Sequence, residues 1–159
     1  MPRCRFGAAV PVFPVVAASG VRLRLQDGRE LIDGMASWWC VIHGYNHPVL
    51  NAAVEAQLRD MAHVMFGGLT HAPAVKLAER LVATTDGRLP GVVFGVAGGE
   101  AIDLALKVAR AHTGRTGIVS AVGGYHGHTG LAMAAGDPEY RDPFGPNLPG
   151  FVQVPFDDL

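Results

Sequence analysis

Apolar and polar side chains alternate first at Val21, Leu23 and Leu25 against Arg22 and Arg24, and after Asp27-Gly28 the chain returns through Glu30, Leu31 and Ile32. A period of two on either side of an Asp-Gly turn predicts a β-hairpin. Residues 10–16 are apolar but carry Pro11 and Pro14, which predicts an extended edge strand because proline cannot donate to a ladder. From Pro48 the period lengthens to that of a helix, with Leu50, Val54, Leu58 and Met61 on one stripe and Glu55, Arg59 and Asp60 outside it. Gly67-Gly68 interrupts the pattern. Thr70 or His71 then serves as a cap, Pro73 suits an early helical position, and Val75, Ala78, Leu81 and Val82 form a second stripe.

Residues 92–96, VVFGV, predict a strand buried on both faces. Past Ala97-Gly98-Gly99, the apolar positions Ile102, Ala105, Leu106 and Ala109 recur with helical spacing as far as a stop at Gly114. Residues 116–122 predict another buried strand, residues 123–129 (GGYHGHT) a loop, residues 137–150 a long proline-rich loop, and residues 151–154 the beginning of a further strand. Strand, helix and strand in this order predict an α/β fold, with a mostly parallel sheet and flanking helices following the N-terminal hairpin.

Ligands of such sheets bind beyond the carboxyl ends of the strands, where both glycine loops fall. A helix start leaves several backbone N–H groups unpaired and carries partial positive charge, and Gly98 and Gly99 have no side chains to keep an anion away. Tyr125 lies on the same rim, so a phosphorylated planar ligand is accommodated with its phosphate at the helix start and its ring beside the tyrosine. Glycines at a strand-to-helix turn serve tight geometry equally well, and the segment alone leaves both readings open. Residues 35–48 (MASWWCVIHGYNHP) follow no period and place Trp38, Trp39, His43, Tyr45, Asn46 and His47 in a loop of the kind that lines sites. The two tryptophans serve equally as core anchors.

Composition narrows the classes. The 159 residues are 49% hydrophobic and 17% charged, with a formal net charge of -1, which suits a globular domain and gives no basic surface for nucleic acid. No apolar run approaches a membrane span, and Cys4 and Cys40 have no close-spaced partners, so neither a membrane partner nor a zinc knuckle or disulfide scaffold is expected, and the cytoplasm is the expected location. The pairs His126 with His128 and His43 with His47 lack a carboxylate or cysteine set to complete a metal site, so no metal is expected.

The segments DGMASWWCVIHGYNHPVLNAAVEAQL, HVMFGGLTHAPA, FGVAGGEAIDLALKVAR and GGYHGHT together resemble the class III pyridoxal-phosphate-dependent aminotransferases over nearly the whole chain. Residues 10–95 most resemble the branch that aminates 8-amino-7-oxononanoate from adenosylmethionine in biotin biosynthesis, whereas the wording after Gly98 looks more like another class III branch. The resemblance implies the incomplete N-terminal part of a fold type I transferase that uses pyridoxal 5'-phosphate (PLP). Residues 1–45 would form an N-terminal segment with the hairpin, and residues 46–159 the first part of the large cofactor-binding domain. It further implies that Gly98 and Gly99 give backbone N–H groups to the phosphate, that Tyr125 stacks on the pyridine ring, and that Trp38 and Trp39 line the substrate pocket. A small-molecule amino donor, a keto acceptor and a homodimer, with residues 65–71 as a dimer contact, belong to the same implication.

The chain departs from the family at several points. Ala97-Gly98-Gly99 stands where the family usually has Ser-Gly-Ser or Ser-Gly-Thr, and each lost hydrogen bond to a charged group weakens binding by about 1.5–3 kcal/mol. His128 stands where the biotin enzymes tend to have aspartate. Transamination also needs a Schiff-base lysine and an aspartate at the pyridine nitrogen. The only lysines are Lys76 and Lys107, both predicted on helices beside the sheet, so no catalytic residue is assigned and the chain is expected to be a fragment inactive alone. A dinucleotide-binding module fits poorly, since Gly95, Gly98 and Gly99 miss the GxGxxG spacing. A non-catalytic remnant that binds a partner chain stays open, because an unfinished sheet leaves strand edges and apolar faces seeking cover.

Overall fold

The computed structural model describes residues 11–157, which fall into two compact units, one reaching to Ala72 and the other beginning at Pro73. The N-terminal unit is built on an antiparallel sheet of three strands in the order β1 (Val15–Ser19), β2 (Arg22–Leu25) and β3 (Glu30–Ile32). The expected hairpin is β2 and β3, with Leu23 opposite Leu31 and Arg24 opposite Glu30. The expected edge strand is β1, which starts at Val15, after both prolines, because its residues must donate to β2. Val10 and Cys4 lie outside the described residues.

Residues 34–47 contain one short helical turn, α1 (Ala36–Trp39), of unusual hand. Ala36, Ser37, Trp38 and Trp39 have φ of 47°, 45°, 52° and 71°, the left-handed region, which costs on the order of 1–2 kcal/mol for each residue bearing a Cβ. The α2 helix (Pro48–Asp60) follows, with Pro48 in its first turn as the sequence predicts. Its stripe of Leu50, Val54 and Leu58 is exposed, since no element among the described residues packs against it.

The C-terminal unit holds α3 (Ala72–Ala83), which begins just before it, then α4 (Gly98–Thr113), β4 (Ile118–Ala121), α5 (Gly130–Ala135), α6 (Pro138–Arg141), a 3-10 turn (Asp142–Phe144) and β5 (Phe151–Val154). Strands β4 and β5 pair in parallel, Ile118 beside Phe151 through Ala121 beside Val154, so the sheet after the hairpin has the expected parallel sense. Gly114 ends α4 in the left-handed conformation, φ 67°, and its N–H donates to Arg110 O. No helix among the described residues is long and apolar enough to cross a membrane.

Two expectations are corrected. Residues 92–96 are not a buried strand: neither sheet includes them, and Val93 and Val96 are 72% and 96% exposed. An apolar run becomes a strand only by pairing, and the sequence pattern reports the run but not the neighbour. Residues 137–150 are not all loop, because Asp137 accepts the Glu139 N–H and Pro138 enters the first turn, an N-cap signal that starts α6. Finally, α5 has no counterpart in the sequence reading, although it holds most of the core.

In the C-terminal unit the buried residues are Ala132, Ala134 and Ala135 of α5 together with Ala74, and in the N-terminal unit Leu25 is buried. Helix α5 is too short to stand on propensity, and its orphan backbone groups are met from elsewhere. Asp103 of α4 accepts the Ala132 N–H at 2.7 Å, taking the role that the Thr129 side chain leaves unfilled. At the other end the Ser120 hydroxyl donates to Ala135 O, the Asn147 amide to Ala134 O, and the Gln153 amide to Ala135 O and Gly136 O. One six-residue helix thus ties α4, β4 and β5 together.

Candidate active site

Two loops of the C-terminal unit meet. The first precedes α4. Ala97, the N-cap, has extended φ and ψ of -152° and 158° and contributes no side-chain bond, and the first helical bond runs from Ala101 N–H to Ala97 O. The N–H groups of Gly98, Gly99 and Glu100 therefore have no acceptor among the described residues. Glu100 turns its carboxylate back past the N-cap and accepts the N–H of Val96 at 2.6 Å, not the N–H of the N-cap Ala97 that a capping box uses. A Cβ on Gly98 would meet nothing within 4 Å, so the approach to this helix start is open.

The second loop leaves the carboxyl end of β4 and carries Tyr125. Gly123 N–H donates to the Asp137 carboxylate at 2.9 Å and Asp137 N–H donates to Gly124 O at 2.8 Å, which fixes the loop to the start of α6. The half-exposed Tyr125 ring meets the rings of Tyr140 and His128 edge-on, with centroids 5.2 and 5.6 Å away. Its hydroxyl shares a 2.9 Å hydrogen bond with His128 Nε2. His128 thus braces the tyrosine.

The loops touch backbone to backbone. Gly127, with φ +123°, lies so near Gly99 that a Cβ on Gly127 would fall 2.6 Å from Gly99 Cα. A Cβ on Gly99 would lie 3.1 Å from the Thr129 hydroxyl. The structure therefore joins the loop of Gly98 and Gly99 to the loop of Tyr125, as one rim of the α/β layer requires. Trp38 and Trp39 belong to the N-terminal unit, where both are exposed. Lys76 and Lys107 lie on α3 and α4, and no group of three His, Cys, Asp or Glu among the described residues is arranged to hold a metal.

Sequence reasoning placed Gly127 and Thr129 in the loop of Tyr125 but missed Glu100 and Asp103 as parts of this arrangement. Glu three residues after the N-cap is a readable signal. The pairing of Asp103 with Ala132, across the loop, has none.

A parallel α/β layer thus carries an open helix start, with free backbone N–H groups, against a tyrosine loop. An amine transaminase from an uncultivated Pseudomonas species, solved in a PLP-bound form, superposes with a TM-score of 0.85 at 29% identity, over 94% of this chain and 37% of that one. The fold is accordingly that of the fold type I transaminases, in part. Residues 6–159 match the family described as aminotransferase class-III, and the chain belongs to that family. It is 43% identical over 134 residues to the adenosylmethionine-8-amino-7-oxononanoate aminotransferase of Buchnera aphidicola subsp. Acyrthosiphon pisum, covering 81% of this chain and 31% of that protein. It is 48% identical over 133 residues to an uncharacterized aminotransferase of Archaeoglobus fulgidus, covering 83% and 31%. The chain thus spans about a third of the length of the curated relatives it matches.

Proposed function

We propose that this chain supplies the phosphate-binding and ring-stacking part of a PLP-dependent transaminase that moves an amino group from a small-molecule donor to a keto acceptor. The observation that carries the reading is the open start of α4, with three N–H groups that have no acceptor among the described residues, held against the Tyr125 loop by the Gly99–Gly127 contact. These donors suit a phosphate despite the missing hydroxyls of Ala97 and Gly99. Gly98, Gly99 and Glu100 would hold it by their N–H groups, and Tyr125 would carry the ring on its face. When bound, the cofactor acts as the electron sink for the amino-bearing carbon.

Trp38 and Trp39 would line the pocket for the acceptor. The relatives named for 8-amino-7-oxononanoate support that compound as acceptor and adenosylmethionine as donor. Lys76 and Lys107 sit in mid-helix, away from either glycine loop in the chain, which supports a further segment as the source of the Schiff-base lysine and predicts no turnover by these residues alone. A homodimer would cover the exposed stripe of α2.

Absorbance titration of the purified chain with PLP tests the reading. Saturable binding that Tyr125→Ala weakens at least about tenfold, or about 1.4 kcal/mol, is expected. Saturable binding of NAD with none of PLP would replace it by the dinucleotide reading.

A further inference from the structure

Four consecutive left-handed residues need a cause, and it lies at the two ends of their loop. Asp33 N–H donates to Val21 O at 2.9 Å. Tyr45 exchanges both backbone hydrogen bonds with Gly20, at 3.0 and 2.8 Å, and the Asn46 amide donates to Ala18 O at 2.7 Å. Both ends of the loop are therefore fixed to the same bend between β1 and β2. Between them the Asp33 carboxylate accepts from three donors: Met35 N–H at 2.9 Å, Ser37 N–H at 2.8 Å and the Tyr45 hydroxyl at 2.6 Å. The Ser37 and Tyr45 hydroxyls are themselves 2.5 Å apart, so Ser37, inside the left-handed run, is gripped by backbone and side chain at once. Trp38 and Trp39 follow it, 71% and 74% exposed.

We infer that Asp33, acting through Ser37 and Tyr45, is a positioning residue for the tryptophan pair: it locks α1 in its left-handed form and so sets the direction in which both indoles are presented. The handedness matters because a turn of the opposite hand projects Cβ atoms differently, so losing the lock moves the indoles as well as loosening them. The inference rests on the pocket role proposed for Trp38 and Trp39 only for its consequence, since the lock itself is made entirely of hydrogen bonds within residues 18–46.

Trp38 and Trp39 are the only tryptophans, so the tryptophan bands in the near-ultraviolet circular dichroism of the full chain report on this turn. In Asp33→Asn, whose amide nitrogen cannot accept, the tryptophan bands are expected to fall by at least half while the far-ultraviolet spectrum stays unchanged. Tyr45→Phe and Ser37→Ala, which each remove one hydroxyl and keep the carboxylate, are expected to give smaller losses, and they carry the test should Asp33→Asn not fold. Unchanged tryptophan bands in all folded variants would overturn the lock. Fluorescence of the wild-type chain titrated with 8-amino-7-oxononanoate separates the two levels: bands that change in Asp33→Asn, without quenching in the wild type, support the lock and contradict the pocket.

Discussion

At Asp33, charge and backbone geometry are one problem. The Tyr45 hydroxyl, then the Met35 and Ser37 N–H groups, hold the Asp33 carboxyl below the ordinary aspartate value of 3.8. The same bond to Asp33 raises the Tyr45 hydroxyl above the ordinary 10.0, the Ser37 bond opposing it and Cys40 adding the smallest contribution. A lowered acid favours the folded form while ionised, so this stabilisation is present above pH 3.8 and is lost as pH falls through the lower folded value. A raised tyrosine contributes fully below pH 10.0 and loses its contribution as pH climbs through the raised value. The tryptophan circular dichroism should therefore hold steady between about pH 5 and pH 9 and change at either end, and Asp33→Asn should abolish the acid limb. A second residue-scale outcome concerns Gly127→Ala. Its φ of +123° and the 2.6 Å approach to Gly99 make the added methyl costly, by about 1–3 kcal/mol from backbone conformation alone. Thermal melting should show a matching drop. Gly98 and Gly99 were legible because glycines before an amphipathic run mark a helix start, whereas Asp33 stands beside Gly34 in the sequence with no role assigned to it. Its Asx bond to Met35 was inferable from that pair, but its bond to Tyr45, twelve residues on, was not.

Among the elements, α5 shows most clearly how context overrides local pattern. The sequence GLAMAA offers neither period nor cap, yet it is helical because Asp103, Ser120, Asn147 and Gln153 satisfy its ends from four separate places. Removing the carboxylate in Asp103→Ala should cost about 0.5–2 kcal/mol, as loss of an N-cap does. Amide exchange should quicken at Ala132 first, with α4 protected as before; uniform exchange across the unit would mean that Asp103 serves the global fold instead. The opposite case is residues 92–96, where a strong β pattern gives no strand. The hairpin, α2, α3, α4 and β4 were legible because their periods are local, while burial was not, since it depends on what lies opposite each face. Asp137-Pro138, a cap followed by proline, carried a helix signal that the surrounding prolines obscured.

For the whole molecule, family membership rests on the match over residues 6–159, and the partial fold on agreement with a solved transaminase over 94% of the chain. On the proposed reading, Ala97 and Gly99 carry no hydroxyl, so a phosphate at the start of α4 would be held by backbone N–H groups. The most direct test is calorimetric titration with pyridoxine 5'-phosphate, which has no aldehyde to react with Lys76 or Lys107, compared with pyridoxine. Binding of the phosphorylated compound at least about tenfold tighter, a difference of 1.4 kcal/mol or more, is predicted, together with its loss in Gly99→Val. Equal affinity for the two compounds, or binding untouched by Gly99→Val, would contradict a phosphate site at this helix start.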